Sequence, residues 1–162
     1  IQRTPIRFVL VFALAALVQF ALLLAPLFRP FFDAFTTHLA TLSAVLIHAL
    51  GGSCLQHGVT LSSPVNGFSM EVRDGCNGVN AVILLWAAIM AYPSQLKWRL
   101  AGLAGGFVAI QSVNILRLVS LFYLGQSSPS LFEFAHLYLW ETLIIIDAIV
   151  VFGLWARHAA VR

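Results

Sequence analysis

The chain has 162 residues, of which 60% are hydrophobic and only 9% charged, and its mean hydropathy is +0.94. That composition excludes a soluble globular protein and leaves room for a single integral membrane domain over residues 1–162. The net charge of +3 calls for no nucleic-acid partner, because the basic residues cluster at the ends of apolar runs, where they set topology.

The first apolar run, 6–28, is longer than the ~7–15-residue core of a cleavable signal peptide and is read as a retained span. The stretch 34–50 is two-faced, with Phe35, Leu39, Leu42, Leu46 and Leu50 opposite Thr37, Thr41 and His48. It reads as an amphipathic helix in the interface or against the bundle. Residues 58–73 read as an extracytoplasmic β-hairpin, since Phe68, Met70 and Val72 alternate with Ser69, Glu71 and Arg73 behind the turn signal Asn66-Gly67. The polar stretch EVRDGCNGVN, residues 71–80, then sets Cys76 at the mouth of an apolar run. Three further stretches, 77–96, 100–124 and 131–156, complete a bundle of about four transmembrane helices, each near the ~20 apolar residues a bilayer needs. The fold class is therefore an all-α membrane protein with one interfacial helix and one small hairpin.

Arg3 and Arg7, Lys97 and Arg99, and Arg157 and Arg162 flank these spans. If all three groups are cytoplasmic, both termini lie inside and 34–50 does not cross, leaving Arg29 and Arg73 outside. Cys76 then faces outward from a cytoplasmic (inner) membrane.

Two other spans carry polar residues to the depth of Cys76. In the third, Gln111, Asn114, Arg117 and Ser120 repeat every three residues, with Arg117 ~10 Å below the outer end. An arginine at that depth is costly and normally faces the bundle interior with a partner. In the fourth, Ser130-Leu-Phe-Glu133 reads as a capping box, which places His136 ~8 Å inside the helix start. Such a trio suits nucleophilic acyl transfer. Cys76 is the nucleophile, activated by a helix N-terminus or a cation. His136 is the base and then the acid, and Arg117 stabilises the oxyanion. Glu133, one turn before His136, is assigned to orient its ring, and Asn80 and Asn114 are supporting residues.

Other readings compete. Cys54 is also expected outside, so a membrane disulfide-exchange protein using Cys54 and Cys76 is one alternative, although no C-x-x-C pair is present. A non-enzymatic subunit of an export system is another, and it leaves the Cys, Arg and His convergence unexplained. Neither a cofactor nor a metal is expected, because His38, His48, His57 and His136 lack the facing in-span pairs of such sites. Asp147, ~16 Å below His136, is a buried acid that needs either a partner such as Gln111 or a protonated state.

The motifs DGCNGVN and NILR, followed by a histidine at the head of a later helix, resemble the exosortase/archaeosortase family of membrane transpeptidases. The resemblance covers roughly residues 58–145 and keeps the family's motif order. It matches Cys76 to the nucleophile, Arg117 to the arginine, His136 to the histidine and Asn114 to the motif asparagine. Asn77 stands where the family often has serine. The chain is much shorter than the larger exosortases and looks like the compact bacterial subtype, exosortase H-like. What the resemblance implies is a sorting enzyme in the lipid bilayer. Its substrates are exported proteins ending in a short motif, a transmembrane helix and a basic tail.

Overall fold

The computed structural model describes residues 5–159; Arg3 and Arg162, used above for topology, lie outside them. Helix α1 (Pro5–Leu24) is followed by a 3-10 turn (Pro26–Phe28) and α2 (Arg29–Ala49). Strands β1 (Leu55–His57), β2 (Thr60–Ser62) and β3 (Ser69–Glu71) come next, then α3 (Val79–Ala91) and α4 (Leu96–Ser127). The last span runs through α5 (Pro129–Phe134), a π-helical turn (Ala135–Leu139) and α6 (Trp140–Ala159).

Among the described residues, four segments are long and apolar enough to cross a bilayer: Pro5–Leu24, Pro26–Ala49, Leu96–Ser127 and Pro129–Ala159. With so apolar a composition, the chain is a multi-pass membrane protein, built mainly of helices around one small sheet.

α1 stops four residues short of the expected 28 and α4 runs from Leu96 to Ser127 where 100–124 was expected, but two other elements differ more. The helix expected at 34–50 begins at Arg29, because Pro30 occupies its first turn, where a missing N–H costs nothing. The span expected at 77–96 is a helix of only 13 residues. Gly78, left-handed at φ 72°, starts it, and Tyr92, extended at ψ 132° before Pro93, stops it.

α1 lies antiparallel to α3, with Arg7 and Val11 beside Met90 and Tyr92, and Gln19 and Leu22 beside Val79 and Val82. α2 follows α4 in the same direction. Phe35 packs 6.0 Å from Phe107, and the Tyr123 hydroxyl donates to Ile47 O at 3.3 Å. It therefore lines the second half of α4, against the bundle. Close approach along α4 uses glycine: a Cβ on Gly106 would lie 2.7 Å from Leu85 Cδ2, and one on Gly102 would meet the Trp155 ring.

The sheet is antiparallel in the order β1-β2-β3, with Leu61 opposite Met70. The expected hairpin is its β2–β3 half, and Gly67 takes the left-handed conformation (φ 73°) in the turn. β1 was not anticipated. Leu61, Met70 and Val72 are buried against Leu39, Ile47, Leu118 and Phe122, so the sheet is clamped onto α2 and α4.

Candidate active site

The stretch that carries Cys76 is a turn held open by two glycines. Gly75 (φ 89°) and Gly78 (φ 72°) flank Cys76-Asn77, and the Cys76 N–H donates to Arg73 O at 2.9 Å. Asn77, only 1% exposed, fixes the turn from within. Its Oδ1 accepts from Val79 N (3.1 Å) and its Nδ2 donates to Thr36 Oγ1 on α2 (3.2 Å). From α4, Gln111 Nε2 donates to Asn77 O at 3.2 Å, and Asn114 Nδ2 to Gln111 Oε1 at 3.4 Å. Asn114 packs directly beneath Gly78, where an added Cβ would come within 3.2 Å of its Cγ. The motif asparagine thus supports the cysteine turn by packing.

Arg117 lies one turn further along α4 and is 2% exposed. Its Nη2 reaches Cys76 Sγ (3.8 Å), His136 Nδ1 (3.4 Å) and His136 O (3.5 Å). The Cys76 Sγ stands 3.8 Å from His136 Nε2 and 4.0 Å from Nδ1. Three elements far apart in sequence therefore bring a thiol, an imidazole and a guanidinium within 4.0 Å. Burial, the largest effect, pushes the Cys76 thiol above its usual range; the Arg117 charge pulls it back in part. The net push is toward the neutral thiol, so forming the thiolate calls for a base. Burial likewise pushes the Cys54 thiol up.

The capping box expected at Ser130 is displaced. Ser128 is the N-cap, its hydroxyl accepting from Leu131 N at 3.4 Å, because Pro129 takes the first helical position. Glu133 is exposed and makes no side-chain hydrogen bond among the described residues. The acid beside the site is Glu141, whose Oε2 lies 3.7 Å from Arg117 Nη2. The π-helical turn that carries His136, closed by Trp140 N to Ala135 O, re-aims the helix at this point. On a regular α-helix His136 and Glu141 would stand about 140° apart, and the wider turn brings them to one side. The Phe132 ring stacks on His136 at 5.7 Å.

The remaining candidates lie elsewhere. Asn80 is exposed, as are His38, His48 and His57. Cys54 and Cys76 are both free thiols, and Cys54 is buried with its Sγ donating to Leu55 O at 3.8 Å. Gln111 is engaged with Asn77 and Asn114, leaving Asp147 Oδ2 buried with no partner among the described residues.

On a helical membrane scaffold, the buried Arg117 thus meets the half-buried Cys76 and His136. The sequence profile of the transmembrane exosortases matches residues 4–155, and the chain belongs to that family. No curated protein and no solved structure gives a significant match.

Proposed function

We propose that this chain is a membrane-embedded cysteine transpeptidase or protease that cleaves the C-terminal sorting signal of exported proteins through an acyl-enzyme on Cys76. Family membership supports a membrane transpeptidase role. The observation that carries the finer reading is the meeting of Cys76 Sγ, His136 and Arg117 within 4.0 Å. His136 takes the thiol proton as sulfur attacks the scissile carbonyl, and the Arg117 guanidinium stabilises the oxyanion. The C–N bond then breaks, the leaving amine takes the proton from His136, and the acyl group stays on sulfur as a thioester. An acceptor amine, or water, releases it. A half-buried thiol whose pKa is pushed up, beside an imidazole, fits general-base activation better than a standing ion pair.

The site faces the extracytoplasmic side of the cytoplasmic membrane, with both termini inside. The short motif of a membrane-anchored tail would then meet it at the outer interface, with the tail's helix and basic cluster below. The test is in-cell processing of a tagged protein bearing such a tail. Cys76→Ala should abolish cleavage with the enzyme still in the membrane, and Cys54→Ala should cleave normally. Equal loss in both variants would favour a Cys54–Cys76 disulfide function instead.

A further inference from the structure

Beside the reactive cluster lies a cleft of about 280 Å³, lined by Cys76, His136 and Phe132 and by Ser69, Met70, Glu71 and Arg73 from β3 and its exit. β3 is an edge strand, paired only with β2. The opposite edge of the sheet is closed by α2, where Gln56 of β1 donates to Thr41 Oγ1 at 3.0 Å. The open edge is therefore the one at the cleft.

The ladder fixes which backbone groups face it. Ser63 N donates to Phe68 O (2.8 Å), Met70 stands opposite Leu61, and Val72 N donates to Val59 O (2.9 Å). Phe68 O, Met70 and Val72 N thus face β2, and the Phe68 N–H is taken by Asn66 Oδ1 at 3.1 Å. Because the groups alternate along an antiparallel strand, those of Ser69 and Glu71 turn to the open side. Both residues are exposed. Arg73 O, next in the series, is already taken by Cys76 N, which ties the end of this edge to the nucleophile. An exposed edge strand is a ready template for another chain, and this one ends at the nucleophile's own turn.

We propose that the substrate segment flanking the scissile bond binds in extended form as a fourth strand on β3, bonded to the backbone of Ser69 and Glu71. This inference rests on the peptidase reading above and adds how the substrate is held. Recognition then goes mainly to an extended backbone, with side chains sorted by period-two alternation. A motif that binds as a helix would find no partner for these groups.

Proline separates this from side-chain effects. Ser69→Pro and Glu71→Pro each remove an outward N–H without touching the bonds to β2, whereas Ser69→Ala and Glu71→Ala keep it. The probe is the tagged tail that wild type cleaves, with iodoacetamide labelling of Cys76 as an independent reading of an intact site. Each proline variant should cut about tenfold more slowly or worse, the loss of a bond or two at the edge. Each alanine variant should cut faster than the proline variant at the same position by about that factor, and all four should label normally; equal loss in the alanine and proline variants overturns the strand pairing. Proline variants that label and cleave like wild type overturn the strand pairing while leaving the peptidase reading intact. Wild type that never cuts the tail overturns both. Should the proline variants fail to accumulate, a synthetic tail scanned with single N-methyl residues decides the matter on the wild-type enzyme. Loss of cleavage at alternating positions is expected, and a uniform or absent effect overturns the inference.

Discussion

Gly75 and Gly78 both adopt left-handed backbone, but only Gly78 faces a packed wall, and that difference yields a quantitative prediction. A Cβ on Gly75 would meet nothing within 4 Å. Gly75→Ala should therefore cost only the left-handed strain of an L-residue, about 1 kcal/mol. A Cβ on Gly78 would stand 3.0 Å from Gln111 Nε2 and 3.2 Å from Asn114 Cγ. Those neighbours are 6% and 0% exposed, so they cannot swing aside freely. Overpacking of this kind adds about 2 kcal/mol, giving about 3 kcal/mol for Gly78→Ala. At roughly 3 °C per kcal/mol for a chain of this size, detergent-solubilised protein should lose about 3 °C of Tm for Gly75→Ala and about 9 °C for Gly78→Ala. Iodoacetamide labelling should show Cys76 more disturbed in the Gly78 variant, because the displaced Asn114 lies one turn from Arg117. Equal Tm shifts would refute the claim that α4 packs tightly under the cysteine turn.

Three further outcomes follow from the site. Labelling of Cys76 should keep rising with pH through the ordinary thiol range near ~8.5, since burial holds its pKa above that value. Arg117→Ala removes the charge that favours the thiolate, so its labelling curve should move to still higher pH, and processing should fall about 10²–10³-fold. Asn77→Ala leaves Val79 N and Thr36 Oγ1 without their partner and should cost about 2 kcal/mol in the same Tm assay. Asn77→Ser, which retains a side-chain oxygen for Val79 N, should cost less.

Much of the site was legible because the physics acting on it is local or simply periodic. A three-residue repeat on one helix puts Gln111, Asn114 and Arg117 on one face wherever that helix packs, and all three are buried. An arginine that deep must find partners inside the bundle, and it does. The hairpin was legible from Asn66-Gly67 and its alternation, but β1 was not. Its three residues, Leu-Gln-His, carry no period, and what holds it is its pairing with β2 and the Gln56 bonds to α2. The N-cap moved from Ser130 to Ser128 because a proline at the first position outweighs a capping box. Glu141 escaped notice for a different reason. Its proximity to Arg117 depends on a π-helical turn, which α-helical spacing does not foresee. The upward push of burial on the Cys76 thiol was equally hidden, since the burial comes from elements distant in sequence.

The most direct test of the central claim is trapping of the acyl-enzyme. Wild-type protein would be mixed with a substrate tail, quenched in acid, and its Cys76-containing peptide examined by mass spectrometry. The account expects a hydroxylamine-labile adduct on Cys76 carrying the mass of the substrate's N-terminal fragment. That adduct should be absent in Cys76→Ala and retained in Cys54→Ala. Efficient cleavage of the tail with no adduct on Cys76, or cleavage that persists in Cys76→Ala, would contradict it.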